Sequence, residues 1–477
     1  MALLTELKKR MASESVDHLI HLLCVPDEEL RFSQWVDISS TGEAKLLDSE
    51  LFSRADLQAK LVRRLITPLL LQRIGPAALL DNARIVRALD EQGILKRIPY
   101  LHTQMVTMHD RMTRHVASSG PLPAAKRAVA FGLGGSAIGS FLAREIIQNH
   151  GYSLPLDIHT SYPASFHGIN SDTLVLLCSY SGNTEEVLYA FEHAAKRTDK
   201  MLILSRGGKL AKLSKKVRFV EIPESDIQQP RESIGFWLGA LLFIISSLGL
   251  AKRDDGTVYR FGISELDRIK PRLDRIDRMC AEETPFAENP AKQYAAYFLY
   301  GTRGGQTLPE TDWQHPRVPV VFLDDADRAI GKRLANQFGE CVEHPILLLV
   351  LCEDAHNEIE SVATVMLEEE LREEARSRSF ILISSRPHDL PTAGRGERRA
   401  VQRMEATLQT LFKQHDVDFL RIEAEGDSLL ERKLCLLKLL DYTRAYASIL
   451  RGTPPLPVVF MHLMKRKMEG IPEARQR

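Results

Sequence analysis

Two separate stretches of this chain run through the same plan: a short apolar segment, a small polar turn, then an amphipathic stretch. In the first, the apolar segments are RAVAFG (127–132), LPLDIHT (154–160), DTLVLLCS (172–179), KMLILS (200–205) and VRFVEIP (217–223). In the second they are VPVVFLD (318–324), PILLLVL (345–351), SFILISS (379–385) and DFLRIEA (418–424). Most are near-continuously apolar, as strands buried on both faces must be. Between them lie stretches of helical period, including GGSAIGSFLAREII (134–147), EEVLYAFEHAAKR (185–197), AIGKRLANQFGE (329–340), residues 356–378 and RRAVQRMEATLQTLFKQH (398–415). Strand and helix in alternation predict an α/β fold, with two parallel sheets flanked by helices on both faces.

The rest of the chain is helical in pattern. LQAKLVRRLITPLLLQRIG (57–75) and residues 82–112 space apolar side chains three and four apart, and SLLERKLCLLKLLDYTRAYASILRG (428–452) ends on a glycine C-cap. GFWLGALLFIISSLGL (235–250) is the longest uncharged run, but it falls short of the roughly 20 residues that a spanning helix needs. It is expected to be a buried core helix, followed by a charged helical connector over 251–284. The expected division is a helical extension over 1–90, a first α/β domain over 91–265, and a second over 266–477 with a C-terminal tail. Lys+Arg and Asp+Glu both number 63, so no field of one sign exists to draw in nucleic acid or an anionic membrane. The six cysteines are scattered without a C-x-x-C pair, as expected of buried thiols in a reducing compartment. The first twenty residues lack the pattern of a signal peptide. These features lead to the expectation of a soluble, cytoplasmic protein.

Two turns carry the chemistry. FGLGGSAIGS (131–140) and SYSGNTEE (179–186) each leave the carboxyl end of a predicted strand and open a helix, where ligands sit in open α/β sheets and where free amides favour an anion. Gly132, Gly134 and Ala137 fit the spacing of a dinucleotide fingerprint, with Asp157 near the end of the next strand. Ser179, Ser181 and Thr184 instead set three hydroxyls around one glycine, a donor nest sized for a single phosphate. Helix capping by Ser181 or Thr184 is the alternative. Two such turns on consecutive units favour phosphate over capping, and the missing P-loop lysine disfavours a nucleoside triphosphate.

Both turns resemble those of the sugar-isomerase (SIS) domain. NPAKQYA, RLANQFGE, HNEIES, EGDSLLERKL, LLDYTRAYASILRG and PLPVVFMHLMKRK follow in the order seen in one branch, the bifunctional phosphoglucose/phosphomannose isomerases with two SIS domains in tandem. The resemblance runs from about residue 80 to the C-terminus. It implies a phosphate site at Gly134, Gly135, Ser136, Ser179, Ser181 and Thr184. It also implies an enediolate-facing Arg231 after Pro230, a catalytic Glu340 three residues after Gln337, His356 in a His-Asn-Glu motif, and Lys465 beyond the proline-rich turn. Its substrate would be a sugar monophosphate, with no metal or other cofactor. It further implies a homodimer in which the histidine of one subunit serves the partner's site.

That chemistry suits these residue types. Moving a proton between C1 and C2 through a cis-enediolate needs one base near both carbons, which Glu340 can supply. The enediolate needs a lasting positive charge, such as Arg231. Ring opening needs a group that exchanges protons near neutrality, such as His356, with Lys465 near the ring oxygen. Each has a plainer reading: Glu340 as an exposed acid at a helix end, His356 as a cap, Arg231 paired with Glu224 or Asp226, Lys465 solvated within KRK. The chain also departs from the branch. Gly339, Cys341, Val342 and Glu343 surround the glutamate where Asn, Asn, a small residue and Lys are usual; Asp354 and Ala355 precede His356; and the loop 301–316 is long. A non-catalytic phosphosugar sensor is therefore a competing expectation.

Overall fold

The computed structural model describes residues 8–25, 55–90, 93–163, 165–213, 215–223, 230–301, 313, 315–351, 377–385, 395–414 and 418–453. Helices α1 (Val16–Leu23), α2 (Ala55–Leu80, broken at Gly75) and α3 (Leu101–Ser119) precede the first sheet. Its strands are β1 (Arg127–Gly132), β2 (Leu156–His159), β3 (Thr173–Ser179), β4 (Met201–Ser205) and β5 (Arg218–Glu221). They lie in the order β2-β1-β3-β4-β5, every neighbouring pair parallel. Helix α4 (Gly135–Asn149) follows β1 and α5 (Glu185–Ala194) follows β3.

The uncharged run forms α6 (Ile234–Leu248), which packs against α3 and α4 with Trp237 fully buried. With the turn before it, Pro230–Leu248 is long and apolar enough to cross a membrane by length and composition, yet most of it is buried inside the fold. The expected connector begins with an irregular stretch bridged between Lys252 and Val258 and becomes helical only in α7 (Ile263–Cys280). Helix α8 (Pro290–Tyr300) leads to the second sheet: β6 (Val318–Leu323), β7 (Leu347–Val350), β8 (Arg378–Ser384) and β9 (Phe419–Glu423) in the order β7-β6-β8-β9, again all parallel. Helix α9 (Arg328–Gln337) follows β6, α10 (Arg395–Gln414) precedes β9, and α11 (Leu429–Leu450) follows it.

Side chains alternate across each strand, so one face of each sheet looks inward and the other outward. Ala128 and Ala130 of β1 join Val321 and Leu323 of β6 in one core that spans both sheets, whereas Val129 and Phe131 belong to a separate outer cluster with Val175, Leu177 and Ile203. Helix α11 is buried almost all round between α7, α8, α9 and α2, and Gly452 just past its end has φ +65, the left-handed conformation of a helix stop. Cys178, Cys280, Cys341 and Cys435 are buried free thiols, Cys24 is half-buried, and Cys352 lies outside the described residues.

Strand order reverses at β1/β3 in the first sheet and at β6/β8 in the second, and each reversal opens a crevice at the carboxyl ends of those strands. The two crevices differ. In the second, Asp327 accepts hydrogen bonds from the Ser385 amide (2.9 Å) and hydroxyl (2.5 Å) and pairs with Lys433 at 2.6 Å. Glu145, from α4 of the first sheet, reaches the same lysine at 3.4 Å and accepts the Ala329 amide at 2.5 Å. The protein's own charges close that crevice. The first holds the two polar turns.

Candidate active site

Both turns sit at the β1/β3 reversal, where Gly132 is in register with Cys178. Gly134 has φ +52 and starts α4, and Thr184 starts α5; neither helix start receives a capping bond from a side chain. The hydroxyls bond within the turn. Ser179 and Thr184 share a hydrogen bond at 2.7 Å, Ser179 Oγ accepts the Gly182 amide at 3.1 Å, and Ser181 Oγ accepts the Asn183 amide at 3.2 Å. The capping alternative for Thr184 and Ser181 is therefore not what the geometry shows. Within α4 the Ser136 and Ala137 amides donate to the Leu133 and Gly134 carbonyls at 3.1 Å, and the uncapped start of α5 is suited to an anion.

The two turns are joined. Ser136 is buried, and its Oγ accepts the Tyr180 amide at 3.2 Å. Gly182 has φ +67 and lies so close to Gly207 that a Cβ would sit 1.8 Å from its carbonyl oxygen. The strand-end segment 206–209 thus backs the hydroxyl turn, held by the Leu210 amide on Gly182 O and the Lys209 amide on Asn183 Oδ1, both at 3.0 Å. Asp157 of β2 is ion-paired with Arg127, which engages the acid that a dinucleotide site would direct to the ribose.

Pro230 and Arg231 pass directly over the first turn: a Cβ on Gly135 would be 3.0 Å from the Pro230 carbonyl and 3.1 Å from Arg231 Cα. Arg231 is 7% exposed and extends its guanidinium to Glu340 Oε2 at 2.9 Å. Its plainer reading as a partner of Glu224 or Asp226 falls on residues outside the described set, whereas its bond to Glu340 lies within it. The expected helix 329–340 ends at Gln337. Residues Phe338–Val342 then widen into a π-helical turn, which places Glu340 on the side facing Arg231. The Glu340 side chain is 45% exposed, so the pair is rooted at the arginine and open at the carboxylate.

Behind Arg231 lie Arg333, Asp441 and Arg444, which went unmarked by sequence, and Cys341, marked only as a departure beside Glu340. Cys341 Sγ accepts from Arg231 Nη1 at 2.7 Å and lies 3.7 Å from Arg444 Nη1. Burial works against the charge on Arg444, but Cys341, Asp441 and Glu232 outweigh it and hold its pKa above the ordinary value. The Arg231 carbonyl accepts from Arg333 at 3.1 Å, and Arg333 grips both oxygens of Asp441 at 2.8 and 3.1 Å. These partners stand about a hundred positions apart, so no local pattern announces them. Glu343, a departure that adds negative charge near Glu340, turns away instead: its carboxylate meets Lys60 and, at 3.0 Å, Arg64, both from α2. His356, Lys465, Asp354 and Ala355 lie outside the described residues.

Two parallel sheets flanked by helices, joined through one core and bearing a hydroxyl-lined turn at a strand reversal, fit an α/β protein of SIS-like fold. Residues 311–468 match the family described as bacterial phospho-glucose isomerase C-terminal SIS domain. The bifunctional phosphoglucose/phosphomannose isomerase of Caldicellulosiruptor bescii is 28% identical over 349 residues, covering 72% of this chain and 90% of the relative. Its counterpart in Aquifex aeolicus is 26% identical over 340 residues, covering 71% and 89%. Among solved structures, a glucose-6-phosphate isomerase from Chlamydia trachomatis shares the fold with a TM-score of 0.54 at 14% identity, over 83% of this chain and 88% of its own. A hypothetical protein from Thermus thermophilus does so with a TM-score of 0.56 at 15% identity, over 85% and 97%. Over about seven tenths of its length the chain is thus similar to bifunctional phosphoglucose/phosphomannose isomerases, and residues 311–468 match a bacterial phospho-glucose isomerase C-terminal SIS domain.

Proposed function

We propose that the chain is an aldose–ketose isomerase that interconverts fructose 6-phosphate with glucose 6-phosphate, and also with mannose 6-phosphate. The observation that carries this reading is the Arg231–Glu340 pair, 2.9 Å apart and set directly over the Gly135 turn. The phosphate is taken by the amides at the starts of α4 and α5 and by Ser136, Ser179, Ser181 and Thr184, leaving the carbonyl end of the sugar toward Glu340.

In the aldose-to-ketose direction, the Glu340 carboxylate takes the proton from C2. The C–H electron pair forms the C1=C2 bond of a cis-enediolate, and the C1 carbonyl oxygen takes up the negative charge. Arg231 supports that charge, and being a guanidinium it stays protonated throughout. The hydroxyl proton of O2 then passes to O1, which shifts the charge to O2. As the O2 electron pair reforms the carbonyl at C2, the C1=C2 pair takes the proton back from Glu340 at C1, leaving O1 as a hydroxyl. The bond between Arg231 and Glu340 holds the carboxylate over the site until substrate comes between them. His356 opens the sugar ring by moving a proton between O1 and the ring oxygen, with Lys465 beside the latter. In this reading His356 comes from the partner subunit of a homodimer, and the enzyme works in the cytoplasm on hexose phosphates of glycolysis and gluconeogenesis.

The test is a coupled assay of fructose 6-phosphate conversion with EDTA present, run on the wild type and on Glu340→Gln. Wild type is expected to turn over. The variant should lose about 10²–10⁴-fold in kcat, the usual share of a general base, while fructose 6-phosphate still raises its Tm. A folded wild type that is stabilised by the sugar phosphate without converting it would be a sensor, and the isomerase reading would be lost.

A further inference from the structure

Glu343 ends the π-helical turn that carries Glu340, and it is the non-glycine residue with positive φ (+52) among the described residues. A side chain in that conformation is strained, so surrounding contacts must hold it. Those contacts come from α2. Lys60, only 7% exposed, meets Oε1 of the Glu343 carboxylate, and Arg64, one turn further along the same helix face, meets Oε2 at 3.0 Å. A second grip lies beside the first. A Cβ on Gly452 would be 2.4 Å from Thr67 Oγ1 and 2.7 Å from the Arg63 carbonyl, so the end of α11 is pressed onto α2. Thr453, the residue after it, donates to the carbonyl of Cys341 at 3.1 Å.

The π-turn is thus held at both ends of its second half, by α2 through Glu343 and by the end of α11 through Cys341. Glu340 lies between Gln337 and these anchors, three residues before Glu343, with a side chain open to solvent beyond its bond to Arg231. We infer that Lys60 and Arg64, acting through Glu343, are positioning residues for the base, so that the N-terminal helical extension is a working part of the active site. The inference rests on the isomerase reading for its kinetic consequence. Its structural half, the fixing of residues 338–344, stands apart from any activity.

The experiment compares wild type, Lys60→Ala/Arg64→Ala, the gentler Glu343→Gln, and Arg64→Lys, by steady-state kinetics with fructose 6-phosphate and by amide hydrogen exchange. The double variant should lose about 10- to 100-fold in kcat, since a displacement near 1 Å at the reacting groups costs about that much, with KM within about threefold because both phosphate turns belong to the other sheet. Exchange should rise in peptides covering 338–344 and stay unchanged over 131–140 and 179–186. Arg64→Lys, which keeps the charge, should recover most of the loss. If the double variant does not fold, Glu343→Gln gives the same split in weaker form. Unchanged exchange at 338–344, or kcat and KM shifting together without rescue, would overturn the inference. A wild type without turnover would remove the isomerase reading alone, and the exchange result would still decide whether α2 fixes the turn.

Discussion

Gly182 sits in the hydroxyl turn with φ +67, where a Cβ would lie 1.8 Å from the Gly207 carbonyl oxygen, 2.7 Å from the Gly207 carbonyl carbon and 2.7 Å from Ser205 Oγ. Gly182→Ala therefore carries two separable penalties. The first is left-handed backbone strain, about 1 kcal/mol for a non-glycine residue. Gly151, the helix stop after α4, isolates it: its φ is +79 and nothing lies within 4 Å of its would-be Cβ, so Gly151→Ala should lower Tm by about 1 °C and leave activity alone. The second is overlap with backbone, which no side-chain rotation relieves. To bring the contact from 1.8 Å to the 3.0 Å that real Cβ atoms respect, the turn and the 206–209 segment must part by more than an ångström. That movement breaks the Leu210–Gly182 and Lys209–Asn183 hydrogen bonds and carries the Ser179–Thr184 pair with it. A phosphate grip displaced by about 1 Å predicts a loss of about 10²-fold in kcat/KM for fructose 6-phosphate, together with weaker Tm stabilisation by inorganic phosphate. Gly182→Ala with wild-type kcat/KM and wild-type phosphate stabilisation would refute the placement of the phosphate in this turn.

The Glu145 side chain is only 14% exposed, and desolvation chiefly, with Asp327 adding repulsion, pushes its carboxyl up to about 7 against the attraction of Lys433. The folded chain then binds this proton more tightly than the unfolded chain does, so the contribution is complete below the ordinary value of 4.5 and disappears as pH rises through about 7. Glu145→Gln removes that dependence, and the stability of the variant relative to wild type should rise between about pH 5 and pH 8 in urea titrations; a constant difference would show that Glu145 is ionised throughout. An equal mixture of Glu340→Gln and His356→Ala proteins should regain isomerase activity on subunit exchange, up to about a quarter of wild type per site. No recovery despite proven exchange would mean that each subunit completes its own site.

The alternation of apolar runs and helical stretches made both parallel sheets legible, because a strand buried on two faces leaves a compositional mark that survives without tertiary knowledge. The strand ends were legible too, and with them the placing of Ser179, Ser181 and Thr184 at a crevice. What the residues did with their hydroxyls was not: Thr184 looks like a cap in sequence and bonds Ser179 in the fold. The helix expected to run to Glu340 gives way at Gln337 to a π-helical turn, since the demand for it comes from Arg231, 109 positions earlier, and not from local propensity. Glu343 illustrates the same limit from the other side. Beside Glu340 in sequence it reads as an added repulsion, and only the arrival of Lys60 and Arg64 from a distant helix turns that charge into an attachment.

Helix α4 begins at the Gly135 turn and reaches, ten residues on, the sealed crevice of the opposite sheet through Glu145, with Asn149 adding a bond to the Ala326 carbonyl at 3.2 Å. At about 1.5 Å per residue, the span from Ser136 to Glu145 is a strut of about 14 Å. On the isomerase reading, one end meets the phosphate and the other is bolted into the half of the molecule that supplies Glu340. The reach from phosphorus to the reacting carbons would then be gauged by a single rod, and a sugar one carbon shorter or longer would arrive at Glu340 out of reach or out of line.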